Sequence, residues 1–223
     1  MKNIKLDVKK YENYILILVI LFIIANAFLR QDSYIALISA ICGITYTFIA
    51  GKGYPICYLF GLTGSSFYCL LALQNALWGN LLLYGLYYIP MQIIGYFKWK
   101  KNLKTNSLEI IKTRLSRKEF VSILSILAIL TTVTYFILLA SNDKHPLLDS
   151  ITTIFSIGGM YLTVRRAIEQ WLLWMIVNFL SLIMWVNVVI NGTKAYSTAI
   201  MWLVYLFLAI YFYRQWDNDI KNA

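Results

Sequence analysis

The sequence predicts an all-α membrane protein of eight transmembrane helices: an extra first helix, then two parallel three-helix bundles joined by a linker helix. Three observations predict it. Apolar residues (AVILMFWYC) make up 60% of the 223 residues, mean hydropathy is +0.67, and only 13% of residues are charged, against about 25% in a soluble domain. Apolar stretches near the ~20 residues that cross hydrocarbon at ~1.5 Å rise each recur along the chain. The basic residues gather on alternate connections between those stretches.

In order, the spans are 14–29, 34–50, 55–73, 78–97, 119–140, 147–164, 171–190 and 196–213. The short breaks carry turn or charge signals: RQDS, GKGY, QNAL, SNDKHP, RRAIEQ and NGTKA. The one long break, 98–118, is strongly basic. With eight spans, seventeen of the 20 Lys and Arg fall on one side: the N-terminal lysines, Lys52, the 98–118 connection, Arg165, Arg166, Arg214 and Lys221. Only Arg30, Lys144 and Lys194 fall on the other. A different helix count would scramble this partition, so it supports both the count and cytoplasmic termini in a multi-pass protein of the cell membrane. The net charge of +10 therefore reports topology, and no nucleic-acid partner is expected. The lysine-rich start and the ANA at 25–27 also suit a cleaved signal peptide, but RQDS and a second span follow at once, and the charge partition is better with the segment kept.

Spans two to four and six to eight share a layout. ICGITYTFIAGKGY at 41–54 aligns with IGGMYLTVRRAIEQ at 157–170 at an offset of 116, and with one residue more YFKWK near 96–100 falls on FYRQW near 212–216. Two adjacent three-helix units would be inverted relative to each other. The intervening span 119–140 restores a parallel orientation, an arrangement in which transporters bind substrate near the midplane between the halves. The expected division is 1–32 for the N-terminus and extra helix, 33–101 for the first bundle, 102–143 for the basic loop and linker helix, and 144–223 for the second bundle and C-terminus.

No Asp, Glu, Lys or Arg sits mid-span, which argues against an ion pump, a proton-coupled carrier, or a substrate needing a buried counter-charge. Cys42, Cys57 and Cys69 lie in apolar stretches without metal or redox spacing, and His145 is a lone loop histidine. With no intramembrane acid–base pair, metal set or activated nucleophile, neither an enzyme nor a cofactor is expected. The remaining intramembrane groups are amides and aromatic rings. Trp171, Trp174, Asn178, Ser181 and Trp185 step by three and four along one face of span seven, with Asn178 ~13 Å along the helix from Glu169. Asn80, Tyr84, Tyr87, Tyr88 and Gln92 do the same on span four, where Pro90 and Gly95 permit a bend or a close approach. Such faces suit a flat, polar, uncharged to weakly cationic ring: indoles and phenols stack on it, and amides bond its hydroxyl or carboxamide groups. Trp171, Trp185 and Trp202 equally suit interfacial belts, and Asn or Gln can simply bond a neighbouring helix. A scaffold or signalling protein remains the alternative from another class, though it has no need of two such stripes at the midplane.

EQWLLWMIVN at 169–178 resembles the W-x-x-W-x-x-x-N helix of the PnuC-type vitamin transporters; HPLLDS at 145–150 and YYIPMQIIGYFKWKK at 87–101 are similar to further stretches of that family in the right order. The resemblance covers roughly residues 34 to 216. It implies a fold like that of the SWEET sugar transporters, with 3+1+3 helices and the substrate between the bundles. It also implies facilitated diffusion of a vitamin, typically nicotinamide riboside, trapped by cytoplasmic phosphorylation, with thiamine and riboflavin as the alternatives. By position it makes Trp174 and Asn178 substrate contacts, assisted by Gln92 and by Trp171 and Tyr88; Asn80 and Tyr84 complete the candidate set. The partners expected are this small molecule and the lipid bilayer, and a homo-oligomer is compatible with the fold. The extra first span departs from the family's seven-helix core.

Overall fold

A computed structural model describes residues 8–30, 33–74, 81–143, 145–190 and 196–222. Among them are eight helices: α1 (Val8–Arg30), α2 (Tyr34–Lys52), α3 (Cys57–Gln74), α4 (a π-helical Leu83–Tyr88 running into α-helical Ile89–Lys100), α5 (Arg117–Ala140), α6 (Pro146–Val164), α7 (Gln170–Ile190) and α8 (Tyr196–Lys221). Six described segments, in α1, α2, α5, α6, α7 and α8, are long and apolar enough to cross a bilayer. The chain is an all-helical, multi-pass membrane protein.

Local chemistry sets the ends. Ser33 and Ser116 cap α2 and α5, their hydroxyls accepting from the Ile35 and Glu119 amides. Gly53, at φ 79°, ends α2 in the left-handed conformation that a Cβ disfavours. Pro146 opens α6 at the position where a missing N–H costs nothing. In α4, Pro90 offers no amide to the Leu86 carbonyl, and the turn before it widens: Ile89 N–H reaches back five residues to Tyr84 O. Pro90 is thus accommodated by a π-helical segment, and Gly95 admits the close approach of the Tyr58 ring.

α2 packs on α3, α3 on α4, α6 on α7 and α7 on α8, while α5 lies against α6 and α1 against α2. The two groups meet where α4 touches α6 and where α2 touches α8. The outer faces of α1 and α5 expose residues such as Ile17, Leu21, Ile129 and Phe136, as lipid-facing helices do. The main core sits toward the basic end and is aromatic: Tyr58, Trp99, Trp171, Phe212 and Trp216 are all buried within it.

Three sequence expectations change. α1 starts at Val8, ahead of the span expected from residue 14, so Glu12 lies within a helix; it is buried, with Lys52 Nζ at 3.1 Å and the Tyr211 hydroxyl donating to it. α8 runs on to Lys221, carrying Asp217 and Asp219 on its last turns. The 98–118 connection is an ordered strap and not a plain basic loop. Leu103 bridges Ile110, Ile110 N–H donates to Gly53 O at 2.9 Å, and Thr113 pairs in parallel with the α6–α7 turn through Thr113 N to Arg166 O and Ile168 N to Thr113 O, both 2.9 Å. Charge density alone could not show this, because the strap's partners are backbone groups on distant turns.

Candidate functional site

The site is built on α6. Small residues on that helix leave room for rings from its neighbours. A Cβ at Gly159 would lie 2.9 Å from the Trp174 indole, so glycine lets the ring rest flat on the helix. The Trp174 Nε1–H donates to Thr163 Oγ1 at 3.2 Å, and that hydroxyl donates in turn to Gly159 O at 2.8 Å. From the other side α4 approaches. The Tyr87 hydroxyl donates to Ile157 O at 2.7 Å, and Tyr88 faces Ser156. Tyr88 and Trp174 thereby enter one aromatic cluster with Met160 between their helices. Aromatic members of the two stripes that sequence spacing picked out, Tyr87 and Tyr88 on α4 and Trp174 on α7, thus both pack on α6.

Behind Tyr88 the rings continue. Tyr84 lies 4.8 Å from it and stacks on Tyr68 of α3 at 4.2 Å and 30°. Gln92 is 4% exposed and seated against Gly61, where no Cβ would fit; its Nε2 donates to Ser65 Oγ at 3.2 Å. Its Oε1 finds no partner among the described residues, an unmet acceptor of the kind that costs about 1–3 kcal/mol when left buried. Asn178, 5% exposed, and Ser181 follow Trp174 up the same face of α7. Asn80 lies outside the described residues.

Trp171 is not where a belt residue would be. It is 2% exposed, stacked on Phe212 at 5.5 Å and edge-on to Trp216 at 5.8 Å, and its Nε1 has no partner among the described residues. It is part of the aromatic floor beneath Trp174. The span-end position suggested an anchor because the strap that covers this end was not visible in the sequence. The Trp202 indole nitrogen is buried without a partner among the described residues, and its ring lies 5.8 Å from that of Tyr205.

Sequence reasoning missed Tyr46, Tyr205 and Thr163. Tyr46 on α2 donates its hydroxyl to Met160 Sδ at 3.7 Å, and a Cβ at Gly43 would lie 2.8 Å from the Tyr205 hydroxyl. A signal was present: Gly43 and Gly159 are equivalent at the 116-residue offset, and each seats an aromatic side chain, Tyr205 and Trp174 respectively.

Among the described residues, the ion pairs cluster at the basic end. Arg165 bonds Glu119 at 2.6 Å, and that carboxylate holds its guanidinium above the usual arginine value. The Glu169 carboxylate accepts from Leu115 N at 3.2 Å, capping the strap. An apolar cavity of about 440 Å³ lies between α1 and α8, lined by Leu18, Phe22, Ile200 and Val204 among others; it is away from the two stripes.

The family model described as "Nicotinamide mononucleotide transporter" matches residues 33–218. Among curated relatives, the nicotinamide riboside transporter PnuC of Neisseria mucosa is 30% identical over 198 residues, covering 86% of this chain and 75% of that protein. That of Haemophilus influenzae is 30% identical over 208 residues, covering 91% and 89%. A solved structure, described as "Crystal structure of the Vitamin B3 transporter PnuC", superposes with a TM-score of 0.81 at 27% identity, covering 95% of this chain and 92% of that one. The helix order, the paired neutral stripes and these matches agree: the chain belongs to the nicotinamide mononucleotide transporter family, the PnuC-type transporters that its sequence resembles.

Proposed function

We propose that the protein takes up nicotinamide riboside by facilitated diffusion. The observation that carries this is that uncharged aromatic side chains of both stripes, Tyr87 and Tyr88 of α4 and Trp174 of α7, pack on α6, in a family whose relatives are named for that substrate. The pyridinium ring of the substrate is flat and carries a delocalised positive charge. The Trp174 and Tyr88 faces attract such a ring without a counter-ion. Asn178 and the free Gln92 Oε1 supply bonds to the carboxamide and ribose hydroxyls. Trp171 then supports Trp174 from below, and Tyr84 backs Tyr88.

The eight helices are read as 3+1+3 with an extra first helix. α2–α4 and α6–α8 form the two bundles, α5 the linker, and all eight cross the bilayer. The reciprocal packing of α4 on α6 and α2 on α8 supports this, since the third helix of each unit then meets the first helix of the other. The basic end is cytoplasmic and holds both termini. Without mid-membrane charges nothing couples transport to an ion, so accumulation beyond the outside concentration requires removal of the free substrate, which cytoplasmic phosphorylation supplies by adding charge.

Calorimetry on purified protein with nicotinamide riboside, thiamine and riboflavin tests the reading. Binding of the riboside alone is expected. Binding of thiamine or riboflavin without the riboside overturns the substrate, and liposome uptake that strictly needs a proton or sodium gradient overturns the mechanism.

A further inference from the structure

Two tryptophans make reciprocal bonds across the molecule, to acceptors about one helical turn apart in the repeat register. Trp99, at the end of α4, donates its indole N–H to Thr163 O of α6 at 2.8 Å. Trp216, in the C-terminal part of α8, donates to Gly51 O of α2 at 2.6 Å. Each indole thus reaches from the third helix of one unit to the last turns of the first helix of the other. Both are fully buried, with ring centroids 6.5 Å apart. Tyr58 extends the row on one side, 5.1 Å from Trp99, and Trp171 on the other, 5.8 Å from Trp216. Because Trp171 precedes Trp174 by about one helical turn, this row lies between the candidate binding wall and the cytoplasmic end.

The strap covers the row. Ile110 is fully buried in the same cluster and bonds the α2–α3 turn at Gly53. Lys112 Nζ sits 5.3 Å from the centroid of the Trp216 ring and is paired with Glu109 at 2.7 Å and with Asp219. Thr113 holds the α6–α7 turn. One continuous segment is therefore bonded to the cytoplasmic turns of both units.

We propose that Trp99 and Trp216 form the cytoplasmic gate, each indole locking one half to the other, with residues 102–116 as the latch over them. The proposal rests on the transport reading above. Opening the cytoplasmic mouth by moving one unit against the other breaks both N–H···O bonds at once, whereas motion at the far end leaves them intact. Thr163 joins gate to site: its carbonyl takes the Trp99 indole and its hydroxyl takes that of Trp174.

The test uses Trp99→Phe and Trp216→Phe, which keep a ring and remove the donor. The reporter is Val164→Cys on α6, a buried member of the same cluster, in a chain with Cys42, Cys57 and Cys69 replaced by Ala. A membrane-impermeant maleimide is applied to the cytoplasmic face of vesicles, and nicotinamide riboside binding is measured separately by calorimetry. Each substitution is expected to raise the labelling rate at position 164 about fivefold, by a similar factor for the two, as loss of one hydrogen bond from the closed state implies. Lys112→Gln, which touches neither indole N–H, is expected to raise it as well. Labelling that stays at the parent rate in both tryptophan variants, or rises in only one, overturns the paired gate. If labelling rises but the parent protein binds no riboside, the gate stands and the substrate reading falls.

Discussion

Thr163 holds Trp174 by a single hydrogen bond, 3.2 Å from Nε1 to Oγ1, and directs its own hydroxyl proton to Gly159. The indole proposed to offer its face to the substrate is thus fixed in rotation by a neighbour that need not touch the ligand. Thr163→Val keeps the shape of the side chain and removes the acceptor. Nicotinamide riboside affinity should fall about fivefold, the worth of one neutral hydrogen bond, with the Trp99 bond to the Thr163 carbonyl retained. Calorimetry checks this, and unchanged affinity would show that packing on Gly159 alone orients the ring.

Trp174→Ala and Asn178→Ala should each weaken binding well beyond tenfold, since each deletes a face or an amide at the proposed contact. Trp171→Ala should behave differently. It empties a packed aromatic position, so thermal unfolding should register a loss of about 3 kcal/mol, and binding should suffer only through that loosening. If affinity drops in Trp171→Ala at temperatures where the fold is intact by as much as in Trp174→Ala, Trp171 touches the ligand after all.

The glycines separate site packing from helix propensity. Gly159→Ala places a methyl group against the Trp174 ring, and affinity should drop at least tenfold. Gly85 has open space where a Cβ would go, so Gly85→Ala should leave binding alone and raise stability by up to about 1 kcal/mol. Equal effects of the two substitutions would mean that the Trp174 seat does not matter.

These contrasts show what the sequence could convey. The eight helices were legible because the bilayer demands a run of apolar residues and because charge marks the connections. The α7 stripe was legible because Trp174, Asn178 and Ser181 recur at helical spacing. The burial of Trp171 and the strap were not legible for one reason: both depend on partners far along the chain, Phe212 and Trp216 for the ring, Gly53 and Arg166 for the strap, which no local period encodes. The aligned Trp99 and Trp216 were visible as a repeat, but their crossed bonds needed the fold.

The first helix lies outside the family match, which starts at residue 33, yet Glu12 fastens it to Lys52 and Tyr211. Glu12→Ala removes a carboxylate that is 4% exposed and serves both partners. The loss should be about 1–2 kcal/mol, or a fall of roughly 2–8 °C in Tm, without a change in affinity. Weakened binding at full stability would make α1 part of the transport path.

On the topology proposed here, the lysines and arginines of the strap act twice. While the chain is being inserted they are bare cations, and their crowding on one connection decides which way the helices thread the bilayer. Once the helices have packed, Lys112 and Arg114 are neutralised by Asp219 and Asp217 of the last helix, which is synthesised about a hundred residues later. The same groups orient the nascent chain and afterwards hold the finished one. A substitution at Lys112 would therefore act at biogenesis before it acts at transport, and the amount of correctly oriented protein has to be measured before any change in its uptake rate is interpreted.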